Sequence, residues 1–313
     1  MKKKLLLPIY LGLSVVLIIA AVVMSLTVGV NLGVDFNGGT KFEIKLADDV
    51  NTKSYESKIN SVLDDYGYVI DSYLSEDRYD DEFYTFKINE KSIAVEKQAE
   101  IRTKIAEKLS IDVSNISEAK EISGNVTQKN LISISIAVAC VFLVFVFVGW
   151  ARYGIMEGLS LMFVGLHNAI ISFAILIITT LQINIPTIVA VLACTLVSLG
   201  IFAYILERNR ELKNSSQGKE MTDYEIYRLS SKKSFANVVI FAIAAVVFAI
   251  SCVFSSMHFI RLFAISLVAC TLVAVYSSNA IGVELGAMLS NIATTSEKQS
   301  LSKNVETKKS TKK

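Results

Sequence analysis

The sequence has 313 residues, of which 52% are hydrophobic, with a mean hydropathy of +0.49 and a formal net charge of +2. This composition is too apolar for an ordinary soluble domain of this length. The long runs of Leu, Ile, Val and Ala, interrupted by only 2 prolines in the chain, indicate membrane-spanning helices instead.

Six apolar segments each approach the roughly 20 residues that an α-helix needs to cross the hydrocarbon layer. The first follows the sequence MKKK, is too long for a cleaved signal peptide and ends without a small-x-small cleavage site, so we predict an uncleaved anchor. The predicted transmembrane helices cover about residues 5–29, 131–149, 155–178, 186–206, 235–256 and 262–283.

Positively charged residues predict the orientation of these helices. Basic residues precede the first span, lie between the second and third and between the fourth and fifth, and follow the sixth. In a chain with six spans all these positions fall on one side, so the positive-inside rule predicts that both termini are cytoplasmic. The expected division is a first helix in 1–30, an extracytoplasmic domain in 31–128, a five-helix membrane region in 129–290 and a disordered basic tail in 291–313.

The segment 31–128 shows an alternation of strand and helix patterns. Strand-like patterns predict three strands, at TKFEIKL, YVIDSYL and EFYTFKI, and a short fourth strand within 113–122. Apolar residues at helical spacing predict one helix over 51–66, capped by Asn51 or Thr52, and a second helix over 92–109. The acidic run SEDRYDDE is interpreted as a solvated turn, because it lacks the Gly and terminal Glu of a calcium loop. This order predicts a ferredoxin-like α+β domain.

The sequence GVDFNGGT, residues 33–40, joins the first span to this domain. Gly38 and Gly39 permit a positive φ or a close backbone approach. Asp35 and Asn37 are of the type that bonds nearby backbone amides in a turn, and Phe36 is suited to the membrane interface or to the underside of the outer domain. Taken alone, the sequence predicts a rigid turn without chemistry.

Four segments together resemble SecF sequences of the SecD/SecF family, in the RND superfamily. GVDFNGGT is similar to the Gly-Ile-Asp-Phe-x-Gly-Gly-Thr sequence after the first span of that family, and LHNAIISFAILIITTLQINIPTIVAVL to its third span, polar turn and fourth span. ILERNREL resembles the cytoplasmic end of the fourth span, and IRLFAISLVACTLVAVYSSNAIG, which contains Tyr276, Ser277 and Ser278, resembles the sixth. The resemblance covers nearly the whole chain in the right order.

The resemblance implies a six-helix membrane protein with one extracytoplasmic domain and a role in protein export. Such a protein is an accessory subunit of the Sec translocase, pairs with a SecD-like subunit, associates with the SecYEG channel and helps to move or release exported polypeptides, driven by proton flow. The junction would couple movement of the spans to the outer domain through Gly33, Asp35, Phe36, Gly38, Gly39 and Thr40.

The chain departs from the family at the positions of its proton relay. The family's Leu-His-Asp is Leu166, His167 and Asn168 here, Ile201 stands where the fourth span has an aspartate, and Lys232 stands where the fifth has an arginine. Neither Asn168 nor Ile201 exchanges protons, so the relay does not carry over. His167 is titratable, but a lone histidine on an apolar helix is more often a packing residue. These substitutions favour one alternative, a degenerate paralogue acting as a scaffold without proton coupling. A second alternative, an independent RND-type exporter, is opposed by the absence of a relay carboxylate and by half the usual number of spans.

Charged residues at the ends of the spans have two possible roles. Glu207, Arg208, Arg210 and Glu211 serve either as membrane anchors with weak ion pairs or as contacts with a partner. Arg261 is the single charge on the short outer turn before the sixth span. Glu284, near the cytoplasmic end of that span, is expected to reach water or to pair with a loop lysine.

The residues give no indication of an enzyme. All 4 cysteines lie inside predicted spans without metal-type spacing, so they are interpreted as small buried apolar residues. There is no metal-spaced His/Cys/Glu cluster, no Gly-rich phosphate loop and no serine with an activating partner nearby. We predict no enzymatic activity, no cofactor and no metal. The short lysine-rich tail favours contact with the lipid membrane or disorder over nucleic-acid binding.

Overall fold

A computed structural model describes residues 6–45, 52–68, 70–78, 81–90, 93–124, 128–254 and 258–294. The described residues within 39–122 form an α+β domain, which packs against a bundle of long apolar helices. The elements in chain order are α1 (Leu7–Thr27), α2 (Val34–Asn37), β1 (Gly39–Lys45), α3 (Thr52–Asp64), β2 (Ile70–Arg78), β3 (Asp81–Ile88), α4 (Val95–Leu109), β4 (Lys120–Ile122), α5 (Gln128–Tyr153), α6 (Ile155–Ile178), α7 (Ile185–Lys213), α8 (Asp223–Val253) and α9 (His258–Tyr276). A π-helical segment, Ser277–Gly282, continues α9 into a last helix over residues 283–294, and two 3-10 turns lie at Val113–Asn115 and Gly218–Glu220.

Within the described residues, five helical segments are long and apolar enough to cross a membrane: α1, α6, α7, α8 and the continuous helix Phe259–Thr294. Helix α5 covers the predicted second span; its crossing stays a prediction, since the apolar stretch identified among the described residues is Val138–Tyr153. Helices α7 and α8 extend well past the predicted spans at their charged ends. The hydrophobic signal stops at the first charges, whereas the helical hydrogen bonds continue, and α8 starts with a capping box between Thr222 and Glu225.

The outer domain contains its elements in the predicted order: strand, helix, strand, strand, helix, strand. The four strands are antiparallel and lie in the order β2-β3-β1-β4, so β1 is a central strand. Alternate residues of β1 and β3 are buried with α3 and α4 in one apolar core, in which the rings of Phe42 and Phe86 stack at 5.2 Å. Helix α3 begins at Thr52, and Asn51 lies outside the described residues.

The acidic run SEDRYDDE, residues 75–82, is strand over most of its length rather than a turn. Residues 75–78 end β2 and residues 81–82 begin β3, with Arg78 paired opposite Asp81. The prediction was wrong here because dense charge was interpreted as a turn, whereas an outer strand such as β2 tolerates charged residues.

Among the described residues, two polar connections join the outer domain to the membrane helices. One is the junction between α1 and β1. The other is an ion pair between Glu56 of α3 and Arg261 near the start of α9, at 3.2 Å. Arg261 therefore lies on the side of the bundle that carries the domain, as expected for the short outer turn.

Candidate functional site: a membrane junction and a buried polar cluster

The junction pairs with the turn between α6 and α7. Leu32 and Ile183 form a parallel β-bridge, in which Ile183 N–H donates to the Asn31 carbonyl (2.8 Å) and Gly33 N–H to the Ile183 carbonyl (3.1 Å). A Cβ atom on Gly33 would overlap the side chain of Asn184. The absence of a side chain at Gly33 therefore leaves room for Asn184, at the start of α7, in its observed position.

Asp35 caps a helix that begins 150 residues later in the chain. The backbone N–H of Ile185, the first residue of α7, donates to Asp35 Oδ2 at 3.1 Å, while the N-cap residue Asn184 makes no side-chain capping bond. A carboxylate in this place satisfies a free helical N–H and interacts favourably with the helix dipole. The expected local turn bond is made by Asn37, whose Nδ2 donates to the Leu32 carbonyl (2.9 Å).

Gly38 and Gly39 allow the junction to pass close to the backbone of the neighbouring strands. Gly38 has φ +73° and ψ −174°, and a Cβ on it would lie 2.6 Å from the Ile122 carbonyl oxygen. A Cβ on Gly39 would overlap the Ile88 carbonyl oxygen of β3. Thr40 Oγ1 donates to the Glu90 carbonyl at 2.6 Å. The motif thus holds the start of central strand β1 tightly between its two neighbours.

Phe36 points away from the sheet and into the membrane bundle. It is half-buried and lines an apolar groove of about 590 Å³ between α5, α6 and α7, together with Phe142, Phe173 and Ile185 among others. Of the two expected positions for this ring, the structure shows contact with the membrane helices. The junction therefore joins β1, α1 and α7 through both backbone and side-chain contacts.

A second candidate site is a chain of hydrogen bonds inside the bundle, centred on His167 of α6. Its Nε2 shares a hydrogen bond with Ser14 Oγ of α1 (2.8 Å), and its Nδ1 shares one with Ser277 Oγ (2.9 Å). Ser14 and Ser277 are buried. A neutral imidazole, with one donor nitrogen and one acceptor nitrogen, satisfies both hydroxyl groups.

The Tyr276-Ser277-Ser278 sequence supplies most of this cluster. Tyr276 Oη donates to the Tyr10 carbonyl of α1 at 2.7 Å, and Ser278 Oγ donates to the Ser198 carbonyl of α7 at 2.8 Å. The π-helical segment begins at Ser277, and such segments are frequent at functional sites. The structure therefore brings His167, Tyr276 and Ser277 together with Ser14, a residue that the sequence analysis missed. Ser278 bonds instead to Ser198 of α7, without a described hydrogen bond to His167.

The other relay positions do not join this chain of bonds. Asn168 is fully buried and donates from Nδ2 to Thr195 Oγ1 at 3.1 Å, while its Oδ1 has no partner among the described residues. Ile201 is buried in an apolar groove between α7 and α8, beside Val197 and Phe241. No described hydrogen bond connects Asn168 or Ile201 with His167.

The charged residues at the end of α7 separate into two groups. Glu207 pairs across helices with Arg152 of α5 at 3.0 Å, whereas Arg208 pairs with Glu211 on its own helix at 2.7 Å. Arg210 is exposed. Because the Arg208–Glu211 pair is solvent-accessible, it adds little stability. The Glu207 pair ties α7 to α5, and Lys213 at the end of α7 likewise pairs across helices, with Glu157 of α6 and Asp223 of α8.

Glu284 forms a buried contact that the sequence analysis assigned to the wrong partner. Its side chain is 4% exposed and accepts two hydrogen bonds from Arg228 of α8, at 2.8 and 3.2 Å, rather than pairing with a loop lysine. Its second oxygen accepts from the Leu6 N–H at the start of α1, at 3.2 Å. Lys232, one turn further along α8, is exposed. Arg228 was not recognised as the partner because α8 begins at Asp223, well before the predicted span, and this extension places Arg228 on a helix next to Glu284.

Replacing His167 with leucine is expected to lower the thermal unfolding midpoint of the detergent-solubilised protein. The buried Ser277 hydroxyl would lose its partner, which costs about 1–3 kcal/mol. The H167L/S277A double variant should recover part of this loss, because no hydroxyl is then left unpaired. S25A is the control, since Ser25 Oγ donates only to the Ala21 carbonyl of its own helix. An H167L midpoint equal to that of S25A would contradict the importance of the cluster.

Comparison with known proteins agrees with this arrangement. The family model of the SecD/SecF C-terminal region of protein export membrane proteins matches residues 101–292, and that of the SecD/SecF GG motif matches residues 23–50, which include Gly38 and Gly39. Protein translocase subunit SecF of Cereibacter sphaeroides is 21% identical over 281 residues, covering 87% of this chain and 84% of that protein.

Two solved structures share the fold. A crystal structure of SecDF in a super-membrane-facing form matches 92% of this chain, with a TM-score of 0.72 and 17% sequence identity. A crystal structure of SecDF, a translocon-associated membrane protein, from Thermus thermophilus matches 90% of this chain, with a TM-score of 0.60 and 18% sequence identity. The chain covers only 38% and 37% of those longer chains. The C-terminal family model alone extends over more than half of the sequence. The chain therefore belongs to the SecD/SecF family of protein export membrane proteins, as a SecF-like, multi-pass protein of the cytoplasmic membrane.

Proposed function

We propose that this protein is an accessory subunit of the Sec protein-export translocase, working with a SecD-like partner beside the SecYEG channel. The observation that carries the proposal is the junction, where Asp35 caps α7 and Leu32 pairs with Ile183. A shift of α7 relative to α1 would thus be transmitted directly to β1, the central strand of the outer domain. The domain could then move against an exported polypeptide on the outer side.

The proposed architecture has six membrane helices, with α5 as the second, and a ferredoxin-like outer domain over residues 31–128. Its strand order, β2-β3-β1-β4, supports this classification. The basic residues around α7 and α8 support the placement of both termini in the cytoplasm. The tail predicted over 291–313 is proposed to begin after Thr294, because residues 291–294 still belong to the last helix. The SecD/SecF family is an accessory, non-catalytic one, and we assign the chain no reaction and no cofactor.

The partner is proposed to supply any proton-carrying carboxylates of the complex. Asn168 and Ile201 lack a titratable group, and Glu284 is the single acidic residue among the buried side chains of the described part of the chain. The family match does not favour an independent exporter. A scaffold without proton coupling would be supported if export with this subunit were unaffected by collapse of the proton gradient.

The test combines a pull-down with an export measurement. A tagged copy of the full chain, extracted from native membranes in mild detergent, should recover a SecD-like protein and SecYEG, as identified by mass spectrometry. Depleting the protein should slow the appearance of a pulse-labelled secreted protein outside the cell, and the wild-type gene should restore the rate. A tagged, unrelated multi-pass protein of equal abundance is the control. Unchanged export after depletion, with no Sec component recovered, would overturn the proposal.

A further inference from the structure

A polar groove lies between the start of α1 and helix α8, outside the junction and the His167 cluster. Its volume is about 440 Å³, and the helix after α9 forms its floor. Helices α1 and α8 do not close over it, so it is open to the surroundings of the bundle. The residues that matter for its chemistry are Leu6, Tyr10, Arg228, Lys232, Phe235 and Glu284.

The groove carries one positive charge that the described residues do not neutralise. The Glu284 carboxylate is saturated by Arg228, by Tyr224 Oη at 3.4 Å and by the Leu6 N–H. The Arg228 side chain is nevertheless 44% exposed, so its outer edge is accessible. Lys232 is exposed and forms no ion pair with any residue in the part of the chain that the structure describes.

The groove also spans the boundary between the charged and the apolar parts of α8. Residues 223–233 contain all five charged residues of the helix within about three turns, and from Phe235 to Val253 the helix has none. Phe235 lines the groove and is 53% exposed, and Ile9 on the facing helix α1 is 67% exposed. A polar end next to an apolar end matches the level of a membrane at which phosphate groups meet acyl chains.

We propose that this groove binds the headgroup of an anionic phospholipid from the leaflet on the α7–α8 turn side. The phosphodiester would accept hydrogen bonds from the Lys232 ammonium group and from the exposed edge of the Arg228 guanidinium group, while an acyl chain packs on Phe235. Because Glu284 is already saturated, the ammonium group of a zwitterionic headgroup finds no free carboxylate. A headgroup with net negative charge is therefore favoured.

Native mass spectrometry of the full chain in detergent tests this site with three added probes: phosphatidylglycerol, phosphatidylcholine and inorganic phosphate. The wild-type protein should retain phosphatidylglycerol more tightly than phosphatidylcholine. K232Q should bind phosphatidylglycerol roughly fivefold more weakly, which is the effect of one lysine near an anionic lipid surface. K233Q is the matched control, because Lys233 is an equally exposed neighbour that does not line the groove.

Selective loss of phosphatidylglycerol in K232Q alone would support the site. Equal losses in K232Q and K233Q would show that the lipid responds only to diffuse surface charge, and would overturn the proposal. Equal retention of the two lipids would also overturn it. Displacement of phosphatidylglycerol by equimolar inorganic phosphate would identify free phosphate, not lipid, as the occupant. None of these results depends on export activity, so the lipid site and the proposed function fail separately.

Discussion

Replacing Arg228 with glutamine is expected to destabilise the protein by about 3 kcal/mol, the lower end of the range for breaking a buried ion pair. The Glu284 carboxylate would stay 4% exposed in the bundle without its cation, retaining only the bonds from Tyr224 and from the Leu6 N–H. Since the Leu6 N–H bond joins α1 to Glu284, a Glu284 side chain displaced by the loss of its cation should also loosen the contact between α1 and the helix after α9. The measurement is the unfolding midpoint of the full chain in detergent without anionic lipid.

Three variants make this expectation specific. E284Q should reduce the stability of the protein less than R228Q does. The unpaired Arg228 side chain left in E284Q is partly exposed and can be hydrated, whereas the unpaired Glu284 side chain left in R228Q is buried and cannot. The R228Q/E284Q double variant should be more stable than R228Q alone, because it leaves no unpaired buried charge. R208Q is the matched control, since the Arg208–Glu211 pair has the same 2.7–2.8 Å spacing as Arg228–Glu284 but is exposed. If R228Q lowers the stability of the protein no more than R208Q does, the buried Glu284 carboxylate does not depend on Arg228 for its stabilisation.

Replacing Gly38 with alanine is expected to disrupt the start of β1. With φ +73° and ψ −174° the backbone lies in a region that is essentially restricted to glycine, where another residue costs about 1–3 kcal/mol. The added Cβ would also lie 2.6 Å from the Ile122 carbonyl oxygen of β4, and such overpacking costs about another 1–3 kcal/mol. Hydrogen exchange followed by mass spectrometry should show faster exchange in β1 and β4.

The control for this variant is Gly67→Ala in the same domain. Gly67 has φ +72°, nearly the same as Gly38, but a Cβ there would meet no atom within 4 Å. The G67A protein should therefore show only the effect of backbone strain, close to the end of α3. If export depends on the junction, the G38A gene should also fail to restore the export rate in cells depleted of the protein, whereas the G67A gene should restore it. Wild-type protection of β1 in G38A would contradict the described packing of the junction.

Much of the architecture follows from the sequence alone. A helix in hydrocarbon satisfies its backbone hydrogen bonds within one segment, so each local apolar run of sufficient length is enough to predict a span. Alternation in TKFEIKL and EFYTFKI likewise predicts strands, because side chains of a strand alternate between its two faces. The glycine pair of the junction was recognised as a site of restricted geometry for the same local reason. These features depend only on neighbours in sequence.

The partners of the polar side chains were decided only by the tertiary structure. Asp35 was expected to bond within its own turn, yet it caps α7 at Ile185. Glu284 was expected to pair with a loop lysine, yet Arg228 is its partner. Such a group must find a hydrogen-bonding partner within the bundle, and which partner is within reach depends on which helices pack side by side. Hydropathy and periodicity therefore determined where the helices and strands are, and helix packing decided which of their polar residues form the junction and the cluster around His167.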